Sequence, residues 1–430
     1  MKLSLRLPLI VIACACAAPV VGAAENSNWP TWRGPSGQGI APGATPPTQW
    51  SDTKNVKWKT RIPGLGYSTP VVWQDKIFLL TAVEVDGAGG GSPGQKPTQP
   101  CEFTVMALNR TTGKIEWQKV ARKEVPHEGR HPTTSFASAS PITDGKHLWV
   151  PFGSRGFYCY DLQGNLIWEK DLGDMRTRMA FGEGSSPVIA GDLMLIVWDH
   201  EDQSFIVALN KNTGEEVWRK NREERSSWST PLVVEVGGKL QAIVPATTAT
   251  RSYDVATGDI VWEASGLTGN VIPAPVTGHG MVYVMSGFRG NAIQAIKLTA
   301  KGDVTTSPDM VWNVRQSAPY AASPVLSETR LYGTKSTDAY LSCLNALTGE
   351  FHYRDQALPG IRSVYASPLA ANGHLYVAGR EGTVLVLKDT TTFEVVATNT
   401  MGEGIDASPV ALGKELFIRG HQHLYCISEG

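Results

Sequence analysis

Residues 186–218 hold four short runs of aliphatic, β-branched and aromatic residues separated by polar turns. Ser186–Ala190 ends at Gly191-Asp192, and Leu193–Trp198 ends at a charged stretch. Phe205–Asn210 ends at Thr213-Gly214, and Glu216–Trp218 begins a fourth run. Short runs of this kind bounded by turn residues predict an antiparallel meander. A single meander cannot bury both of its faces, so it needs neighbours of the same kind.

The rest of the chain provides them. A Ser/Thr-Pro dipeptide or a near variant opens each unit, with prolines at 70, 141, 187, 231, 275, 324, 368 and 409. Each unit closes on a turn and an outer strand, as in LNRTTGKIEW (108–117), DLQGNLIW (161–168), LNKNTGEEVW (209–218), DVATGDIVW (254–262) and LNALTGEFHY (344–353). The recurring glycine supplies the positive φ of a tight hairpin, and the aromatic residue after it anchors one unit to its neighbour. The fifth unit is degenerate and ends at Val311-Trp312. The seventh ends at residues 393–396 without a tryptophan, and the first carries a Gly/Pro-rich insertion at 86–100.

The last unit, from Pro409, has three strands, and Val56–Ile62, with Trp58, has the form of the missing fourth. The expected fold is therefore all-β. It is an eight-bladed β-propeller of four-stranded blades whose ring is closed by the N-terminal strand, which removes open edges. Ala107, Cys159, Ala208, Ser252, Ala295, Cys343 and Cys426 share one position in the third strand of successive units, a column that asks for a small buried side chain. Its three cysteines fall in blades two, six and eight, too far apart for disulfides, and are expected as free thiols. The state of Cys101, beside the insertion, is left open by the sequence.

The expected organisation is residues 1–23 as a signal peptide, 24–54 as an arm packed on the body by Trp29, Trp32 and Trp50, and 55–430 as the propeller. Lys2 and Arg6, the apolar run 7–18 and Val21-Gly22-Ala23 make the leader. It places the mature chain in the periplasm or outside the cell. A rival reading takes Val11-Ile12-Ala13-Cys14 as a lipobox, with a lipid anchor on Cys14. No later segment reads as membrane-spanning. A formal charge of −1 gives no basic surface for nucleic acid, and a monomer is expected.

The repeats resemble those of the PQQ-like β-propeller superfamily, which includes the outer-membrane assembly lipoprotein BamB and the quinoprotein alcohol dehydrogenases. The resemblance covers residues 56–430, and WPTWRGPSGQG (29–39) is similar to the start of uncharacterised exported members. The dehydrogenase branch implies a quinone above the axis, a Ca²⁺ held by carboxylate and amide oxygens, a catalytic aspartate and an adjacent cysteine pair. This chain has no adjacent pair. No cofactor is expected, with PQQ and calcium as the alternative.

Three local patterns carry little. His127-Glu128-Gly129-Arg130-His131 matches H-E-x-x-H, but Pro126 and Pro132 bracket it, so no helix brings the histidines together. His421 and His423 make two ligands, not a site. Residues 86–94 lack the GK[ST] of a phosphate loop. The stronger signal is positional. Turns between the second and third strands carry Arg155, His200, Arg251, Arg289, Arg380 and Arg419. They share a face with the loops leading into each blade, which carry Tyr67, Trp228, Arg362 and Asp406. Arginines and aromatics on one face suit a protein partner or a small anionic ligand. Glu183, Asp199, Glu201, Glu381 and Asp406 on the same rim offer the arginines internal partners instead. The expected function is non-catalytic binding or scaffolding, with envelope-protein assembly as its specific form. The alternative is a PQQ-dependent dehydrogenase or another propeller enzyme.

Overall fold

The computed structural model describes residues 28–51, 53–85 and 95–429. The expected signal peptide, residues 1–23, and Cys14 lie outside them, as does most of the Gly-rich insertion. Eight antiparallel sheets follow one another along the chain. Each starts with a short inner strand of two to five residues, such as Val71–Trp73, Ile142–Thr143 or Val188–Ala190. Inner strands of successive blades touch one another around the axis. The ring closes as the repeat pattern requires. Val56–Arg61 pairs antiparallel with His423–Ser428, Trp58 opposite Cys426 and Arg61 opposite His423. Blade four has a fifth strand, because Gly302–Asp303 of the degenerate fifth unit pairs parallel with its outer edge.

The small-residue column and the terminal aromatics face each other. Ala107 is opposite Trp117, Cys159 opposite Trp168, Ala208 opposite Trp218, Ser252 opposite Trp262 and Cys343 opposite Tyr353. A large ring on the outer strand therefore needs a small partner on the third. All four described cysteines are free and buried. Burial pushes the thiols up, that of Cys159 to about 12 and that of Cys101 to about 11.

Five outer-strand tryptophans also reach the next blade. Trp58 Nε1 donates to the Arg110 carbonyl (2.9 Å), Trp117 to Leu162 (3.2 Å), Trp168 to Lys211 (3.1 Å), Trp218 to Val255 (3.0 Å) and Trp312 to Ala346 (2.9 Å). The ring lies against the turn glycine of that blade. A Cβ on Gly214 would stand 2.7 Å from Trp168, and the residue also has φ +73°. The Thr-Gly turn thus needs glycine both for its backbone and for the docked indole. Trp262 Nε1 lacks an acceptor among the described residues, since the fifth unit has lost the turn that would provide it. Blade six ends in Tyr353, and there Asp389 makes the link, accepting from Arg330 Nε (2.7 Å), Tyr332 Oη (2.7 Å) and Ser327.

The arm is ordered and lies on the face opposite the blade-leading loops. Trp29 exchanges backbone hydrogen bonds with Val72 of blade one (2.7 and 2.8 Å), and the Pro30 carbonyl accepts from Thr143 of blade two (2.9 Å). Gln38 Oε1 accepts from Thr277 N of blade five (2.6 Å), Ala41 N donates to Ala370 of blade seven (2.9 Å), and Thr45 N donates to Gly413 of blade eight (2.6 Å). Trp29 and Trp50 are buried, and Trp32 is half-buried. Among the described residues no helix is long and apolar enough to cross a membrane.

Candidate functional site

The tetrapeptides that open the eight blades build the site. In chain order they are YSTP, SASP, GSSP, WSTP, IPAP, AASP, YASP and DASP. The third residues of the tetrapeptides, all hydroxyl-bearing except Ala274, link neighbouring blades in two runs around the axis. Thr69 N donates to Ser140 Oγ (2.9 Å), Ser140 N to Ser186 Oγ (2.9 Å) and Ser186 N to Thr230 Oγ1 (3.0 Å). On the other half, Ala274 N donates to Ser323 Oγ (2.9 Å), Ser323 N to Ser367 Oγ (2.9 Å) and Ser367 N to Ser408 Oγ (3.0 Å). The following proline has no N–H, so the preceding amide and hydroxyl carry the contact between neighbouring blades.

The first residue of each tetrapeptide lines a central cup of about 390 Å³. Tyr365, Asp406 and Tyr67 stand on one side, and Trp228 and Ile272 on the other. Phe181, Phe288, Tyr320 and His131 complete the wall, and six of the opening hydroxyl residues lie deeper in it. Trp32 of the arm lines this cup and also a 280 Å³ cleft on the far side, so its indole separates the two.

Asp406 joins two basic side chains at the wall. It accepts from Arg380 Nε (2.9 Å) and pairs with His421 Nε2 (2.8 Å). The Tyr67 ring stacks on His421 with centroids 5.2 Å apart, and Arg380 lies 4.9 Å over the Tyr365 ring. Burial, then the Asp406 charge, push the Tyr67 phenol up against the opposing pull of Arg380 and Arg130, so it stays a hydrogen-bond donor. His131 is held below the usual imidazole range by burial and by Arg380, which keeps it uncharged at neutral pH. Glu183 accepts from Arg155 Nη1 (2.8 Å), Ser154 Oγ (2.6 Å) and Ser154 N (2.7 Å).

Of the ten residues singled out in the sequence, Tyr67, Trp228 and Asp406 line the cup, and Arg380 stands behind Asp406. The other arginines do not converge there. Arg155 is buried against Glu183 and Glu124, and Arg251 against Glu224 and Glu263. Buried Arg419 donates to the Ser68 carbonyl (2.9 Å) and hydroxyl (2.6 Å), and burial lowers it to about 9. Arg289 and Arg362 are exposed on the rim. His200 is buried and ties its loop to the one leading into blade three, with Nδ1 accepting from Arg176 N (3.2 Å) and Nε2 at 3.1 Å from the Gln203 carbonyl. The reason is radial. The second-to-third turns lie part-way out along each blade, whereas the blade-leading loops lie at the axis. His421 and His423 also separate, the first to Asp406 and the second to Glu403. The stretch 127–131 is a loop, with Glu128 accepting from Thr177. Trp32, Phe181, Phe288 and the hydroxyl chain escaped sequence reasoning, although the opening tetrapeptides carried the signal.

The profile of the family described as "Outer membrane protein assembly factor BamB" matches residues 48–201 and 202–429. The chain belongs to this family. Among BamB-family relatives, an outer membrane protein assembly factor BamB of Francisella salina is 28% identical over 128 residues, covering 28% of this chain and 23% of its own length. A tetrathionate hydrolase of Acidithiobacillus ferrooxidans is 23% identical over 292 residues, covering 64% of this chain and 53% of its own. The chain thus spans about half or less of the curated relatives it matches. A europium-containing methanol dehydrogenase shares the propeller fold, with TM-score 0.65 and 11% identity over 94% of this chain and 98% of that one.

The dehydrogenase likeness raises the question of a calcium-held quinone. The cysteines lie inside separate blades. Among the described residues no three of His, Cys, Asp and Glu come together as a metal site. Both cup carboxylates are already matched to basic partners, Asp406 to Arg380 and Glu183 to Arg155.

Proposed function

We propose that this BamB-family chain is an exported, non-catalytic binding propeller of the cell envelope that receives its ligand or partner at the aromatic cup. The observation that carries the reading is the state of the cup's charged groups. Asp406 is tied to Arg380 and His421, and Glu183 to Arg155 and Ser154. Groups held this way fix the shape of a recognition surface. Above them stand aromatic side chains, which provide rigid contact area at low entropic cost. Envelope-protein assembly is the specific form of this function, in keeping with the name of the Francisella salina relative, an outer membrane protein assembly factor.

The reading is tested by titrating the mature protein with PQQ plus Ca²⁺ in a thermal-shift assay, beside a dye-linked dehydrogenase assay. The expected result is no saturable shift and no turnover. A ligand of the folded state at a hundred times its Kd would add about 2.7 kcal/mol of apparent stability. Such a shift together with turnover would replace the binding reading with the quinoprotein one.

A further inference from the structure

We infer that the cup takes a neutral, polyhydroxylated ring compound, a mono- or disaccharide in chemical class. The inference rests on the cup being a binding site, as proposed above, and adds what it binds. Three features of the wall lead there.

The first is charge. Among the described residues that line the cup there is no lysine or arginine, and the two carboxylates each hold a cationic partner inside the fold. A free anion finds no unmatched cation there. An organic cation finds aromatic rings but no carboxylate with charge to spare, since Asp406 already has Arg380 and His421. An uncharged ligand leaves every one of these pairs intact.

The second is the hydroxyl chain. Ser140, Ser186, Thr230, Ser367 and Ser408 line the cup, and each oxygen accepts a backbone N–H. A hydroxyl also has one proton to donate. Among the described residues no acceptor is recorded for these five protons, so they are available to lone pairs on a ligand. The Tyr67 phenol, kept protonated, adds a donor at the wall.

The third is shape. Trp228 stands across the cup from Tyr67 and Tyr365, and the Trp32 indole closes the base. Flat aromatic faces around a cavity of about 390 Å³ suit a ring with apolar C–H faces and a polar edge, and the volume falls in the range of roughly 300–1,000 Å³ usual for small-molecule sites. Sugars present both kinds of surface at once. Stacking covers the faces, and the hydroxyl protons meet the edge.

The experiment is a calorimetric and tryptophan-fluorescence titration of the full mature chain with cellobiose, maltose and chitobiose, beside sodium sulfate, sodium tetrathionate and choline chloride. The expected result is saturable binding of at least one disaccharide, with a Kd that changes less than about twofold between low and high salt, as an uncharged ligand requires. Trp228→Ala should weaken it by about tenfold or more, the loss expected for an aromatic anchor. Trp228→Phe, which keeps a ring in the wall, should retain most of the affinity and guards against a folding defect. Binding of sulfate, tetrathionate or choline with no response to any sugar would overturn the ligand class and leave the cup as a binding site. Silence from every probe, with the fluorescence of both Trp228 variants and wild type unchanged, would overturn the small-ligand reading of the cup itself.

Discussion

Asp389 shows how one side chain replaces a docking element. Blade six has no tryptophan to lay on the next turn, and a carboxylate takes over, holding Ser327, Arg330 and Tyr332 from the far side of the junction. Burial alone would raise its pKa. The hydrogen bonds from Arg330, Ser327 and Tyr332 outweigh burial and hold the group below the ordinary carboxylate value. A folded-state pKa below the unfolded one means that the unfolded chain binds more protons in acid. The contribution is therefore complete above about pH 4, the unfolded carboxyl value, and disappears as pH falls through the folded value. Asp389→Asn should cost about 2–3 kcal/mol at pH 7. Melting curves from pH 7 to pH 3 should show the gap to wild type closing in acid. A constant gap would mean that the residue acts through packing and not through its charge.

Among the secondary elements, the Thr-Gly turn is the joint between blades. Gly214 and Gly191 both have positive φ, +73° and +62°. A Cβ at Gly214 would meet the Trp168 ring at 2.7 Å, whereas at Gly191 nothing lies within 4 Å. Gly191→Ala should cost about 1 kcal/mol, from the backbone alone. Gly214→Ala should cost about 2–4 kcal/mol, because the displaced indole adds an overpacking penalty. Urea unfolding midpoints of the two variants check this, and equal losses would mean that the indole yields without cost.

Elements were also where the sequence was most legible. Alternating runs, turn glycines and the column shared by Ala208 and Cys343 are local signals, and each repeats often enough to be read against its copies. The radial position of a turn is not local. The sequence showed that Arg155 and Tyr67 share a face, but not that Arg155 lies under the rim with Glu183 while Tyr67 stands at the axis. Nor could it show that Asp199, grouped with the rim acids, is taken by Arg222 from the outer strand of the same blade. The reach of Trp32 into the axis was hidden for a related reason. The arm has no period, and its path is set by contacts with six blades spread around the ring.

At the scale of the whole molecule, the ring has one seam. Every other blade is built from strands close together in the chain, but Val56–Arg61 and His423–Ser428 are far apart in sequence. The arm reinforces that closure from below. Trp50 N donates to Asn399 Oδ1 (2.8 Å) in blade seven, and Thr45 reaches Gly413 in blade eight. Removing residues 423–430 should leave Trp58 without Cys426 and expose two strand edges at once. The truncated chain is expected to be aggregation-prone and to lose its cooperative melting transition. Size-exclusion chromatography and a thermal melt would show this, and a monomer with a sharp transition would mean that the seam adds little.

The seam also sets a clock on the making of the protein. A ribosome produces Val56–Arg61 long before His423–Ser428, and the first strand must wait without its partner until the second has been made. Every intermediate length is a ring with a gap, with a sheet edge on each side of it. The fold is closed only once His423–Ser428 has been added. A chain broken off early carries its own mark of being unfinished, a pair of unsatisfied edges that proteases and chaperones can recognise.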